Sequence, residues 1–157
     1  MDLFKDRTGV PHIKPPWAAL YHRSSVYGLA GDKKGIIVVK PTWNGLWELP
    51  GGGLDMNEEV RRGLNRELCE ETGYQFRTMD PDPLAEWTEH FYADDEERFY
   101  ESHCGVYRIS GLTYRGMLPN NEIEDICRMP LDQLNRDNCK ERFLKVLRTP
   151  SMIRILQ

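Results

Sequence analysis

The sequence predicts an α+β domain built on a mixed sheet, and three observations carry that prediction. Short β-rich runs alternate with turn-forming clusters, two segments carry helical apolar spacing, and the order β-β-loop-α-β-β-(β)-α lacks the regular βαβ repeat of a parallel sheet. The 157 residues, 39% of them hydrophobic, suit one compact core. The chain divides into an N-terminal arm, residues 1–17, and a single domain, residues 18–157.

The arm is rich in charge and carries Pro11, Pro15 and Pro16, which remove backbone donors and resist regular structure. From Ala18 to Ala30 the chain reads as a strand. It turns at Gly31-Asp32-Lys33-Lys34-Gly35 and resumes from Ile36 to Lys40, which predicts a hairpin. A loop follows, Trp43 to Asp55, with glycine at 51, 52 and 53; such backbone tolerates conformations and close approaches that other residues do not. Asn57 to Thr72 reads as a helix, capped by Asp55 or Asn57, with Asp55 and Glu58 at capping-box spacing and Gly73 as the stop. Alternating runs at 85–92 and 99–109, joined by Asp94-Asp95-Glu96-Glu97, predict a second hairpin. Residues 112–115 suggest a further short strand, and 119–134 a loop with a short strand and turn. Asn138 and Glu141 have the spacing to cap a last helix before Pro150, with Phe143, Val146 and Leu147 as its apolar stripe.

Composition excludes several classes. Lys+Arg 21 against Asp+Glu 25 gives a net charge of -4, so the basic excess that an extended nucleic acid requires is missing. The longest apolar run, Ile36 to Val39, is strand-sized, and no membrane partner is expected. Charges at Asp2, Lys5, Asp6 and Arg7 occupy the place of a secretory signal's apolar core. Cys69, Cys104, Cys127 and Cys139 form no C-x-x-C pair; they read as thiols of a reducing cytoplasm, the expected location.

On a wheel at about 100° per residue, Val60, Glu67 and Glu71 fall within one arc of the first helix, flanked by Leu64 and Leu68 and by Gly63 and Glu70. Charge runs on helices are usually solvated faces, and Arg66–Glu70 has ordinary i,i+4 spacing. Here, however, the acids interrupt an apolar stripe. Ionised carboxylates beside a buried face need protons or a cation, and a hard divalent metal with a substrate phosphate answers that need. Gly63, one turn before Glu67, either admits a loop or ligand or is simply a tolerated small residue.

Residues 52–74 read Gly52-x5-Glu58-x7-Arg66-Glu67-Leu68-x-Glu70-Glu71-x-Gly73-Tyr74. This resembles the Nudix box, G-x5-E-x7-R-E-U-x-E-E-x-G-U, with every fixed residue present and Tyr74 a loose fit at the last apolar position. Seven fixed residues give a chance match of about one in a million from average composition. Trp47-Glu48-Leu49-Pro50-Gly51-Gly52 is similar to the family's W-x-L-P-G-G entry. The resemblance implies an α/β/α sandwich with a mixed sheet, and hydrolysis of a nucleoside diphosphate linked to another moiety X, with Mg²⁺ or Mn²⁺. It implies that Glu67, Glu70 and Glu71 bind metal, with the Gly51 carbonyl as a further ligand and the identity of the base left open. By the same resemblance Arg66 orients the glutamates, Glu58 fixes the loop against the helix, and Gly52 and Gly73 are structural. A further ligand or base outside the box has three candidates, Glu101, Glu122 and Glu124.

Trp43, Trp87 and Tyr92 are the aromatics best placed by loops or strand ends to stack a base, and Asn120-Asn121 could read a base edge. Subfamily signatures for coenzyme A, nicotinamide dinucleotides and ADP-ribose are not evident, and Tyr92 lies near a tyrosine seen in some dinucleoside polyphosphate hydrolases. The preferred substrate is therefore a nucleoside triphosphate, oxidised or modified forms included. Nucleotide-sugars, dinucleoside polyphosphates and a non-catalytic nucleotide-binding module are the alternatives. A homodimer would form through the N-terminal arm or the exposed hairpin.

Overall fold

The computed structural model describes residues 2–32, 34–116 and 121–156, so Asn120 of the Asn120-Asn121 pair lies outside the described residues. In chain order the elements are β1 (Leu3–Lys5), β2 (Pro11–Ile13), β3 (Leu20–Leu29), β4 (Gly31–Asp32), β5 (Gly35–Pro41), β6 (Gly51–Gly53), α1 (Val60–Thr72), β7 (Tyr74–Gln75) and β8 (Thr78–Met79). There follow β9 (Ala85–Ala93), β10 (Arg98–Ser110), β11 (Thr113–Tyr114), β12 (Ile123–Met129), a 3-10 turn at Leu131–Gln133, α2 (Glu141–Leu147) and α3 (Pro150–Ile155).

The larger sheet runs β2-β1-β9-β10-β3-β6, with β8 pairing the end of β10. Its spine is β10, antiparallel to β9 from Arg98↔Ala93 to Val106↔Ala85 and parallel to β3 from Phe99↔Leu20 to Arg108↔Leu29. The hairpin expected across residues 94–97 is therefore present, and the sheet is mixed. A smaller sheet, β12-β5-β4, and a two-stranded pair, β11-β7, complete the set.

Alternation along β3 places two cores on its two faces. Val26 packs with Leu64 and Leu68 of α1 and with Phe76 and Ile109. Leu29 joins Ile36, Val38, Val106, Phe143, Leu147 and Met152, so α2 and α3 cover the other side. The result is the α/β/α sandwich.

Several local expectations change. Residues 3–5 and 11–13 of the arm are paired strands, and Phe4 is buried, its ring 4.6 Å from that of His90 and 5.1 Å from that of Phe99. The prolines allow this because β2 is an edge strand, where a missing donor costs little. β3 and β5 do not form a hairpin: the turn is real, with Gly31↔Ile36 and Asp32↔Gly35, but β3 is occupied on both edges by β10 and β6, and β5 pairs with β12 in the other sheet. The first helix begins at Val60, after a turn in which Asn57 takes φ 62°. Asp55 and Glu58 still make half of a capping box, the Asp55 N–H donating to Glu58 Oε1 at 3.0 Å. In the last segment Asn138 accepts from the Asn135 N–H and donates to the Gln133 carbonyl, so Lys140 precedes α2 instead. Pro150 opens α3 behind the Thr149 cap, because proline suits the first helical turn.

Candidate active site

The glycine loop lies against the sheet because side chains are missing there. Gly51 has φ 147°, and a Cβ on it would lie 2.0 Å from the Val26 carbonyl oxygen. Only the bare backbone lets β6 pair with β3 through Tyr27↔Gly51 and Ser25↔Gly53. At Gly52 a Cβ would meet the Glu67 carboxylate at 3.0 Å. At Gly63 it would lie 2.2 Å from Leu54 Cδ2 and 2.8 Å from Glu58 Oε1, so this glycine admits the loop onto the helix. Gly73 ends α1 in the left-handed conformation, its N–H donating to the Cys69 carbonyl at 2.9 Å.

Arg66 ties these pieces together. Its Nε and Nη2 donate to the two carboxylate oxygens of Glu58, each at 2.8 Å. Nη1 lies 3.2 Å from Glu67 Oε1 and 3.4 Å from Glu70 Oε1, and Nη2 also reaches the Gly53 carbonyl at 3.3 Å. The bidentate arginine holds the Glu58 carboxyl down to about 2. The remaining acids behave oppositely. Burial raises the pKa of Glu67, against the pull of Arg66. Burial pushes Glu71 well above the usual carboxylate range, although the Gly51 N–H donates to its Oε1 at 2.7 Å, and the charges of Glu67, Glu48 and Glu122 add to the rise. Glu67, Glu70, Glu71, Arg66, Gly51, Gly52 and Glu58 are thus linked by direct contacts between the glycine loop and α1, while Gly73 stands apart as the end of the helix. As the side chains stand, no three acid, cysteine or histidine side chains among the described residues are grouped to hold an ion.

The outlying candidates separate. Glu122 stands close enough for its charge to act on Glu71. Glu101 instead faces His22, Oε2 to Nδ1 3.6 Å, and Glu124 is exposed where the β12–β5 register shifts. The aromatics do not share one face. The Trp87 ring lies parallel to that of Tyr27 at 6.2 Å, edge-on to Phe143, whereas Tyr92, five residues on and so on the opposite face of β9, packs against His12 and Phe99. Trp43 carries the Arg7 guanidinium over its ring at 5.2 Å.

Two residues emerge that sequence reasoning passed over. Glu48 is half-buried between the buried Trp47 and Leu49, and burial lifts its carboxyl to about 7, with Lys140 opposing and Glu89 adding; an acid inside an apolar run was its only signal. Arg23 lies between the rings of Phe91 and Tyr100, at 5.1 and 4.7 Å, with Nε donating to Ser102 Oγ at 3.2 Å. A lone arginine mid-strand pointed to it only weakly.

Comparison with known proteins bears on the family and the fold. A "MutT-like protein" of Streptomyces ambofaciens is 42% identical over 53 residues, a match that spans 33% of this chain and 34% of that protein. The fold resembles that of a MutT NUDIX hydrolase from Burkholderia pseudomallei, TM-score 0.64 at 22% identity, covering 80% of this chain and 95% of the other. It also resembles a UDP-X diphosphatase, TM-score 0.56 at 21% identity, covering 91% of this chain and 64% of that one. The family model for the NUDIX domain matches residues 21–149, a span that contains the glycine loop, Arg66 and all three α1 carboxylates; the chain belongs to the Nudix hydrolase family.

Proposed function

We propose that the chain hydrolyses a phosphoanhydride bond of a nucleoside diphosphate linked to X, with Glu67, Glu70 and Glu71 holding Mg²⁺ or Mn²⁺ and the Gly51 carbonyl as a further ligand. The observation that carries this is the pair of desolvated carboxylates, Glu67 and Glu71, set against bare glycine backbone. They fit a hard divalent ion: a Cβ at Gly52 would fill the space beside Glu67, and burial draws both acids out of water. When bound, such an ion supplies Lewis acidity and charge neutralisation for phosphoryl transfer to water. The chain's own residues prepare that step. Arg66 restrains Glu67 and Glu70, Glu58 restrains Arg66, and the Gly51 N–H orients Glu71, while burial raises the proton affinity of Glu71.

Within the class, a nucleoside triphosphate split to monophosphate and pyrophosphate is the reading from sequence. A second reading is a nucleotide-sugar, which an open trough beside the loop favours; the UDP-X diphosphatase whose fold this chain shares takes, by its name, a uridine diphosphate linked to X. The setting is cytoplasmic on this reading, in keeping with four cysteines that form no disulfide. Among the described residues no helix is long and apolar enough to cross a membrane. A homodimer joined through the N-terminal strands or the exposed hairpin belongs to the same reading, and a monomer mass in solution scattering would reject it.

The test is product release from a panel of nucleoside triphosphates, nucleotide-sugars and dinucleoside polyphosphates with Mg²⁺, resolved by chromatography. Glu71→Gln keeps an oxygen for the Gly51 N–H and should stay folded, as should Glu70→Gln, while turnover of either falls by about a hundredfold or more. Chelation should abolish wild-type turnover and added Mg²⁺ restore it. Wild-type rates in both variants would remove the metal-site assignment, and tight nucleotide binding without product would point to a binding module.

A further inference from the structure

We propose that the trough beside the glycine loop binds the X half of a nucleotide-sugar, with Tyr21 and Arg98 as its platform and Arg23 at its inner end. The proposal rests on the hydrolase reading and narrows its substrate class. The trough encloses about 550 Å³ between the start of β3, the start of β10 and the segment from Gly53 to Glu58. None of Glu67, Glu70 or Glu71 lines it, yet it shares Gly53 and Glu58 with the constellation around Arg66.

Strand geometry aligns the two. Residues 21, 23, 25 and 27 of β3 point to one face, with the Tyr27–Trp87–Phe143 group at one end and Tyr21, Tyr100 and Arg98 at the other. The glycine strand pairs with residues 25 to 27, between these ends. The span from Tyr21 to Tyr27 is about 20 Å of strand, so a molecule lying along it past β6 has room for a group on either side of its phosphates.

The chemistry at the trough end distinguishes what that group is. Arg23 donates through Nε to Ser102 and forms no ion pair with a carboxylate among the described residues, leaving its two terminal nitrogens available. A Cβ on Gly53 would lie 3.4 Å from Nη1, so those donors face the loop along which the phosphates would pass, where a phosphate oxygen suits them. Farther out, the Tyr21 ring is 40% exposed, with the Arg98 guanidinium 4.6 Å from its centre. Glu96, Asp55 and Asn57 line the same trough; the Glu96 carboxylate accepts from the Tyr100 hydroxyl and lies 3.7 Å from Arg98 Nη1, and Asp55 Oδ2 lies 3.8 Å from Arg66 Nε. Carboxylates already met by arginine keep lone pairs for hydroxyl donors, and an aromatic ring with a guanidinium beside it offers apolar surface to sugar C–H groups. A neutral polyol ring behind a phosphate matches this lining.

Binding can be read without turnover in full-length Glu70→Gln with Mg²⁺, by calorimetry on two pairs of probes, UDP-glucose against UDP and ADP-ribose against ADP. The ratio within a pair cancels any preference for the base. At least one nucleotide-sugar should bind about tenfold tighter than its diphosphate, an advantage of about 1.4 kcal/mol, and Arg98→Ala or Tyr21→Ala in that background should bring the ratio below about threefold. Two variants guard against misfolding of either. Ratios near one in both pairs, or ratios that survive both substitutions, would overturn the proposal, as would a larger advantage for diadenosine tetraphosphate, which would assign the trough to a second nucleoside. Loss of the hydrolase reading would be seen separately, as absent wild-type turnover on the same compounds.

Discussion

A methyl group at position 63 would sit 2.2 Å from Leu54 Cδ2 and 2.8 Å from Glu58 Oε1. Glycine to alanine inside a helix ordinarily gains about 1 kcal/mol, but here Leu54 and the anchored Glu58 must give way. Gly63→Ala is therefore expected to lose about 1–3 kcal/mol in urea unfolding, and a gain would show that the loop yields freely. Glu58 allows a test with pH. In the folded chain Arg66 holds its carboxyl at about 2, below the ordinary 4.5. A depressed carboxylate stabilises the fold fully above its unfolded value, and the contribution is lost as pH falls toward the folded one. Glu58→Gln should unfold at lower urea than wild type at neutral pH, and the difference should shrink between about pH 4.5 and about pH 2. A difference that holds constant over that window would mean the pair contributes nothing through charge. Glu58 was visible in the box spacing, and Gly63 in its place on the helix face one turn before Glu67. Arg23 was not, because its role depends on β9 and β10 bringing Phe91, Tyr100 and Ser102 to it.

At the scale of elements, α1 and α3 differ in how they begin. Thr149 accepts from the Met152 N–H at the start of α3, whereas Glu59 precedes α1 with extended backbone and no side-chain cap. Capping was read at Asp55 or Asn57, where the sequence offers good capping residues. The chain instead spends 56 and 57 on a turn with Asn57 at φ 62°, so the helix starts later. Glu59→Ser supplies the missing acceptor and should raise stability by about 0.5–1 kcal/mol; no change in the urea midpoint would show that the first turn is already satisfied. The same contrast explains the strands. Periodicity located β3 and β5 but assigned them to each other, since adjacency in sequence is the default for pairing. Their partners, β10 and β12, lie far along the chain.

For the whole molecule, the first residues belong to the fold. Phe4 is 3% exposed and sits between His90 and Phe99, while Arg7 links Trp43 to Asp94 across two loops. Phe4→Ala should cost about 3 kcal/mol, measured by thermal or urea unfolding; a loss under about 0.5 kcal/mol would make the segment an appendage. The sequence by itself determined the layered α+β class, the helix with its three acids, the glycine loop before it and the arginine between them, because these are local patterns of spacing within some twenty residues. Tertiary structure alone decided the rest. Which acids lose their water, which strands pair, and which of Trp43, Trp87 and Tyr92 share a face all depend on contacts between distant segments. Burial sets the proton affinity of Glu48 and Glu71, and burial exists only once the sheet and the helices have closed around them.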